Sequence, residues 1–352
     1  MTSQDLKQMA LTAATAPAAY PGDPFAACYV QLCQVSYFDP SAIPEGVTNV
    51  NQLDPGGQWQ CVWGPAQNSD ESNLAFVAAY FSGGIPVFAA TVIRGTDFYT
   101  GDLLGTMDQI CEDLDPKHHA NLPWMKDNAI QVAKGSLDGW SMIQELKSDG
   151  KKIDEFLVSF LGDPAHQKPL PIVTGHSLGG CLTTLVAPWL QFQLQQAGIT
   201  LPMVPVTFAA PTAGNAAFAQ YYDSSFPYAL RFYNTLDIAP MLWVNLDGMK
   251  TIYGSYHLPM PESMHIVVNG FVLLLKEFGA SYVQPFTNNA PLTGQYIPTS
   301  DWVAEALSQH HIITYMALMG VPAVLAEAGQ PRVVPELPAA HKASILVART
   351  TG

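Results

Sequence analysis

Charged residues are scarce in this sequence of 352 residues: Asp, Glu, Lys and Arg make up only 12% of it, and arginine occurs four times. Acidic side chains outnumber basic ones by 29 to 15, which gives a formal net charge of −14 at pH 7. No basic cluster exceeds the pair Lys151-Lys152. Because binding to nucleic acid or to an anionic membrane needs dense positive charge, we expect neither partner.

Cysteine is also sparse, and its five residues have irregular spacing without a CxxC motif. We expect free thiols, no metal site and no organic cofactor. No run reaches the ~18 apolar residues of a transmembrane helix, and the closest, Ile266–Leu275, is too short. The first twenty residues lack the positive cluster and the apolar core of a secretory signal. The compartment therefore stays open between the cytoplasm and export by a route that the sequence does not reveal.

The most informative segment is residues 171–180, which read Pro-Ile-Val-Thr-Gly-His-Ser-Leu-Gly-Gly. An apolar, β-branched stretch enters Gly-x-Ser-x-Gly and continues with helical spacing, which is the pattern of a nucleophile elbow with an exposed serine hydroxyl. Side chains in place of Gly175 and Gly179 would collide with the neighbouring strand and helix. The helix N-terminus directs free N–H groups at an anion formed there. The sequence therefore predicts that Ser177 is a catalytic nucleophile.

Strand-like and helical segments alternate along the chain, which predicts a mostly parallel, three-layer α/β sheet in a single domain over residues 1–352. Glycine after the elbow helix, at Gly198, is expected to end that helix. The expected elements are a helix over 25–37, a loop to about residue 70, a hairpin of strands over 74–81 and 86–93, irregular structure over 98–130, a helix over 136–160 with a possible break near Gly150, a strand over 170–175, a helix over 178–197, and strands over 202–209 and 229–234.

A serine nucleophile needs a base within hydrogen-bond reach and an acid that orients the base. In α/β-hydrolases these residues follow the serine in the order acid, histidine. Four histidines are compatible with that order: His257, His265, His310 and His311. The order alone does not choose among them.

The acid is expected just past a strand, and Asp237 follows the apolar segment Leu230–Asn234. Asp223 is the alternative, but it follows no predicted strand. Asp237 is therefore the preferred acid.

Four further motifs together resemble the fungal-type, class 3 triacylglycerol lipases, and in particular their bacterial members. The resemblance covers about residues 74–318. The motifs are Arg94-Gly95-Thr96 at a strand end, Val206-Thr207-Phe208-Ala209-Ala210-Pro211 with Gly214-Asn215, Asn234-x-x-Asp237-x-x-Pro240, and His310-x-x-x-x-Tyr315. The segment 132–136 departs from the pattern, because the family has a histidine and an aromatic residue there.

The resemblance implies an α/β-hydrolase fold with helices on both faces of the sheet. It also implies a lid within residues 97–125, where Leu103, Met107 and Ile110 have helical spacing. The long gap before the histidine motif predicts an insertion over 244–300. The spacing to Tyr315 favours His310 over His311 as the base.

The function implied is a triacylglycerol lipase that acts through a Ser177–Asp237–His310 triad and an acyl-enzyme. The oxyanion would be bound by the backbone N–H groups of Thr96 and Leu178, together with the Thr96 hydroxyl. The expected partners are an acylglycerol or another ester and, transiently, a lipid–water interface. A phospholipase, a feruloyl-type or short-chain esterase on the same scaffold, and a catalytically inactive lipase-like binding protein are the alternatives.

Overall fold

A seven-stranded sheet forms the centre of the molecule. The computed structural model describes residues 2–15, 24–69, 71–96, 115–285 and 289–325. The strands of the described chain are β1 (Gln58–Gln67), β2 (Leu74–Ser82), β3 (Ile85–Ile93), β4 (His119–Asn121), β5 (Gln131–Ala133), β6 (Lys147–Ser148), β7 (Lys151–Lys152), β8 (Leu170–His176), β9 (Val204–Phe208), β10 (Leu230–Asn234) and β11 (Asn289–Leu292). The large sheet has the order β1-β2-β3-β8-β9-β10-β11.

Helices connect these strands. They are α1 (Ser3–Thr15), α2 (Pro24–Val35), α3 (Ile43–Thr48), α4 (Lys134–Glu145), α5 (Ile153–Gly162), α6 (Leu178–Gln196), α7 (Ala216–Ser225), α8 (Leu246–Met249), α9 (Glu262–Glu277), α10 (Trp302–His310) and α11 (Ile312–Leu318). Short 3-10 turns lie at Pro40–Ala42, Pro164–His166, Ala239–Met241 and Gly254–Tyr256. No described helix is long and apolar enough to cross a membrane.

The pairing directions confirm the predicted α/β-hydrolase fold with its mostly parallel sheet. Strands β1, β2 and β3 pair antiparallel, whereas every neighbouring pair from β3 to β11 is parallel. Parallel neighbours need a crossover of a dozen or more residues, which is why helices separate β8, β9 and β10. The carboxyl ends of the parallel strands therefore meet at one edge of the sheet, where the predicted site residues follow them.

Helices cover both faces of this sheet, because its central strands are near-continuous apolar runs whose side chains are buried on both sides. In β2, Ala75 and Val77 pack into the hydrophobic cluster that contains α4, α5 and α6. The intervening residues Leu74, Phe76 and Ala78 pack into the opposite cluster, with α2, α3 and α11. Alternate side chains of a strand point to opposite faces, so one strand contributes to two cores.

Strand β1 corrects the prediction of a loop up to about residue 70. It lies at the sheet edge and pairs only with β2, with register shifts after Cys61 and after Trp63. Proline cannot donate a ladder hydrogen bond, so it is tolerated only at edges and bulges, and Pro65 lies at such a place. Gly64 and Pro65, which suggested a loop, are thus features of an irregular edge strand, whereas Pro44 and Gly46 lie in helix α3.

The predicted helix over 136–160 is two helices, α4 and α5, separated by the hairpin β6–β7. The hairpin turns at Asp149 and Gly150, whose φ angles are 48° and 76°. Helical backbone is excluded at these angles, so the break predicted near Gly150 is a complete reversal of the chain. The elbow helix α6 ends as predicted, with Gly198 at a φ of 76° just beyond it.

Two further predictions concern the lid and the insertion. Residues 97–114, which hold most of the predicted lid, lie outside the described residues. The described part of that range, residues 115–125, contains β4 and turns. Residues 244–300 contain α8, α9 and β11, and β11 extends the sheet beside β10. Both assignments stay predictions.

Candidate active site

The segment around Ser177 is a strand, a one-residue turn and a helix: β8 ends at His176 and α6 begins at Leu178. A Cβ on Gly175 would overlap the backbone of Gly179 on the helix. A Cβ on Gly179 would overlap the carbonyl oxygen of Ile93, at the end of β3. The predicted collisions at both glycines are therefore confirmed, and they explain why the elbow needs glycine at these positions.

The backbone of Ser177 has a φ of 59° and a ψ of −127°, a region that residues with a side chain rarely adopt. Its N–H donates to the carbonyl of Phe208 at 2.9 Å, which helps to hold this strained conformation. Ser177 is only 1% exposed, so the prediction of an exposed hydroxyl is wrong for this structure. The elbow orients the hydroxyl, but surrounding tertiary structure decides its access to solvent.

Three predicted site residues, distant in sequence, are joined by hydrogen bonds. His310 Nδ1 lies 2.8 Å from Asp237 Oδ2, and His310 Nε2 lies 2.8 Å from Ser177 Oγ. Because a carboxylate only accepts, Nδ1 carries the hydrogen, and Nε2 of the neutral imidazole accepts from the serine hydroxyl. The arrangement is therefore able to remove a proton from Ser177.

Asp237 is held on three sides. Its Oδ1 accepts the backbone N–H of Ala239 at 2.9 Å, and its Oδ2 accepts the hydroxyl of Tyr315 at 2.7 Å in addition to His310. Tyr315 is fully buried; burial, and the nearby Asp237, raise the pKa of its hydroxyl well above the ordinary value, so it stays a donor. The hydroxyl oxygen of Tyr315 also accepts the backbone N–H of Asn234 at 3.0 Å. Tyr315 thus connects the strand end to the carboxylate.

The alternative residues lie elsewhere. His311 begins α11 as its N-cap, and its Nδ1 accepts the N–H of Ile313 at 3.1 Å. Asp223 lies within helix α7, whereas His257 and His265 both lie within the predicted insertion, on a turn and on α9. No hydrogen bond or ion pair joins any of these four to Ser177 among the contacts that the structure describes.

The two predicted oxyanion residues flank the nucleophile. Leu178 is the first residue of α6, so its N–H has no acceptor within the helix. Thr96 follows Gly95, where a Cβ would lie only 3.1 Å from the Cβ of Ser177. The Thr96 hydroxyl is buried and has no hydrogen-bond partner among the described residues. A buried donor without a partner is costly, and it is available to a ligand oxygen.

His176 is a functional candidate that sequence reasoning assigned no role. Its Nε2 lies 2.9 Å from the carbonyl oxygen of His310, and its Nδ1 lies 2.9 Å from the hydroxyl of Tyr37. Burial, and next the proximity of His310, lower the pKa of His176 well below its ordinary value, so the ring is neutral. The position of His176 inside the elbow motif was the one sequence feature that could have indicated a role for it.

A second polar network holds α10, the helix that ends in His310. The amide of Asn234 donates to Gln309 Oε1 at 2.6 Å, and Gln309 Nε2 donates to Glu305 Oε1 at 2.8 Å. Glu305 is fully buried and also accepts the N–H of Ile297 at 3.0 Å and the hydroxyl of Thr299 at 3.1 Å. These contacts tie the end of β10 to the helix that carries the base. Nothing in the sequence signals this buried carboxylate.

The other His and Cys side chains of the described residues were compared with the ligand sets of metal sites and with reactive thiols. In the part of the chain that the structure describes, no group of three or more His, Cys, Asp or Glu side chains is arranged to hold a metal ion. Four cysteines are described as free thiols, and burial raises the pKa of Cys33 and Cys181 to about 12 and of Cys61 to about 11. Such thiols are poor nucleophiles at neutral pH.

Solved structures of known proteins were compared with this fold. The crystal structure of M37 lipase superposes with a TM-score of 0.70 at 24% identity, over 84% of this chain and 91% of that one. A Rhizomucor miehei triacylglyceride lipase gives a TM-score of 0.44 at 22% identity, over 69% and 76% of the two chains. The first likeness supports the fold.

Comparison by sequence gives a family. Lipase ZK262.3 of Caenorhabditis elegans is 41% identical over 71 residues, which is 20% of this chain and 19% of that protein, so the match spans about a fifth of that relative. Residues 90–246 match the model of the class 3 lipases, and this range contains the elbow, Thr96 and Asp237. The predicted resemblance to the class 3 lipases is therefore confirmed over residues 90–246.

Proposed function

We propose that this protein is a serine carboxylic ester hydrolase whose substrate is a triacylglycerol. The observation that carries the proposal is the pair of 2.8 Å hydrogen bonds that connect Ser177 through His310 to Asp237. The match of residues 90–246 to the model of the class 3 lipases supports an ester hydrolase.

In the proposed reaction, Ser177 Oγ attacks the ester carbonyl carbon while His310 Nε2 takes its proton. Asp237 keeps the hydrogen on His310 Nδ1 and stabilises the imidazolium that forms. The imidazolium then gives its proton to the alcohol that leaves, and an acyl group remains on Ser177. Water attacks this acyl-enzyme with His310 again as the base, which releases the fatty acid.

The negative oxygen of each tetrahedral intermediate would be bound by the N–H groups of Leu178 and Thr96 and by the Thr96 hydroxyl. The buried, unpartnered hydroxyl of Thr96 supports this role, because no described residue competes for it. Preorganised donors of this kind stabilise a developing charge without reorganisation during the reaction.

A neutral, apolar substrate is consistent with the charge and surface of the protein. The formal net charge of −14 disfavours an anionic substrate. Helix α9 and the residue that follows it expose Ile266, Leu273 and Phe278 by 64%, 66% and 51%. The exposed side chains between Ile266 and Leu273 carry no charge. Such a stripe supports transient contact with a lipid–water interface.

A movable cover over the site is part of the proposal. Ser177 and His310 are 1% and 7% exposed, so an acylglycerol needs an opening to reach the hydroxyl. The cover is expected from the predicted lid over 97–125, most of which lies outside the described residues.

Active-site titration tests the proposal. A serine-directed alkyl phosphonate should add once per wild-type chain and not to Ser177→Ala. Loss of the hydroxyl should lower kcat by about 10⁶ in a folded protein. Activity of the folded variant within tenfold of the wild type would contradict the nucleophile.

A substrate panel then tests the specificity. Triacylglycerols of graded chain length, a phospholipid and a feruloyl ester should be compared below and above their solubility limits. A jump in rate with emulsified triacylglycerol supports the lipase. Faster hydrolysis of the phospholipid or the feruloyl ester would favour those alternatives.

A further inference from the structure

A cavity outside the candidate active site lies behind the proposed acid, Asp237, between β10 and the predicted insertion. Its volume is about 400 Å³, within the range of small-molecule sites. Ser177 and His310 are not among its lining residues, whereas Asp237 borders it. Apolar walls come from Pro240, Met241, Val244, Tyr282 and Val283. Val244 is 38% exposed, so the cavity is open to solvent.

Arg231 is the one basic residue among those that line this cavity. Its Nη1 donates to Asn289 Oδ1 at 3.1 Å, and its Nη2 donates to the carbonyl of Pro240 at a long 3.4 Å. Its Nε is buried and has no partner among the described residues. The guanidinium also stacks over Tyr233, 4.6 Å from the ring centroid.

No described carboxylate forms an ion pair with this guanidinium. Asp237 lines the same cavity, but its two oxygens accept from Ala239, His310 and Tyr315. Asp223 and Arg231 both line a small neighbouring cavity. Burial lowers the pKa of Arg231 from its ordinary value, although the nearby Tyr315, Tyr233 and Asp237 partly oppose this shift.

A partly desolvated guanidinium beside an apolar cavity matches one ligand chemistry. Its fork of donors fits the two oxygens of a carboxylate, and the apolar walls fit an alkyl chain. We propose that this cavity binds a medium-chain fatty acid, with its carboxylate on Arg231 and its chain along Met241, Val244 and Tyr282. The inference rests on the proposed function in one respect: the ligand would be the protein's own product.

Calorimetric titration with decanoate tests the site in the full chain after alkyl phosphonate has filled the catalytic site. Decanoate should bind once per chain, more tightly than decanol, which lacks the carboxylate, and than acetate, which lacks the chain. Arg231→Gln should weaken decanoate binding about ten-fold or more, because it removes a charge-assisted contact. Arg231→Lys, which keeps the charge, should weaken it less.

Val244→Trp provides a second variant whose folding is not at risk, because the residue is exposed. It should obstruct the cavity and weaken decanoate binding, whereas Val244→Ala should not. Equal decanoate affinity in wild type, Arg231→Gln and Val244→Trp would overturn the proposal, as would equal affinity for decanol or no binding at all. If the phosphonate fails to react, the proposed function is contradicted independently of the cavity. Decanoate affinities of the wild type and the two variants, measured in unmodified protein, then still test whether the cavity binds a fatty acid.

Discussion

His176 Nε2 donates its hydrogen to the carbonyl of His310 across 2.9 Å, so the residue before the proposed nucleophile holds the backbone of the proposed base. The direction is unambiguous because a carbonyl only accepts. It makes Nδ1 the acceptor for the hydroxyl of Tyr37. The elbow and the end of α10 are thereby fixed to each other independently of the bond between Ser177 and His310.

Replacement of His176 should therefore alter turnover more than substrate binding. Asparagine is too short to reach the carbonyl of His310, whereas glutamine places an N–H donor near the position of Nε2. We expect His176→Asn to lower kcat about ten-fold with little change in KM, because one hydrogen bond that orients the base is lost. His176→Gln should retain most of the activity. Equal loss in both variants would contradict a positioning role.

The pH dependence of stability should report the neutral state of His176. Burial lowers its pKa in the folded protein well below the ordinary value of 6.5. Below about pH 6.5 the unfolded chain therefore binds a proton at His176 that the folded chain does not, so the free energy of unfolding falls as the pH drops, by up to about 1.4 kcal/mol per pH unit.

Urea unfolding of wild type and His176→Gln between about pH 8 and pH 5 isolates this contribution, because glutamine does not titrate. The difference between the two unfolding free energies should change with pH in the direction given above. A constant difference would mean that His176 is not buried in its neutral form.

Substitution of His310 should lower catalysis, whereas substitution of His311 should lower stability. His310→Ala removes the proposed base and should lower kcat by about 10⁶. His311→Ala removes an N-cap and should lower the free energy of unfolding by about 1 kcal/mol, with kcat little changed. Steady-state kinetics and urea unfolding of both variants provide the test. A reversed order of the kcat losses would make His311 the base.

Asp237→Asn should lower kcat by about 10⁴, because asparagine favours the wrong tautomer of His310. Asp223→Asn is the matched control, since Asp223 lies on α7 and no hydrogen bond among the described residues joins it to the triad, and its kcat should stay close to that of the wild type. The ratio of kcat values for an ester substrate measures the effect. A mild loss at Asp237 with a large loss at Asp223 would reassign the acid.

Thr96→Val should lower kcat by roughly 10²–10³ if the hydroxyl donates to the oxyanion. Valine conserves the shape, and the hydroxyl has no partner among the described residues, so the free energy of unfolding should not fall. Kinetics and thermal unfolding should be measured together. A loss confined to KM would show that Thr96 only shapes the pocket.

The elbow shows which structural features can be predicted from a local sequence pattern. Gly175, Ser177 and Gly179 could be assigned because a sharp turn between a strand and a helix restricts the residues that fit, whatever lies around it. The edge strand β1 could not be assigned, because its proline and glycine residues are read locally as a loop. Only pairing with β2 makes them a bulged strand.

The pair His310-His311 shows the same difference between what a local pattern predicts and what tertiary structure decides. The spacing to Tyr315 favoured His310, yet the residues alone left four histidines open, because a base is defined by its distance to the serine. Ser177 Oγ and His310 Nε2 are 2.8 Å apart although the two residues are 133 positions apart in sequence. This contact depends on the parallel sheet, because Ser177 follows β8 and the helix of His310 is held at the end of β10.

The sequence by itself determined the resemblance to the class 3 lipases, the α/β alternation and the residues able to form the elbow, since each depends on short-range pattern. Tertiary structure alone decided the burial of Ser177, the contact of His176 with His310, the network around Glu305 and the cavity at Arg231. These features join segments far apart in the chain, and the energy of a buried polar group depends on partners that packing supplies.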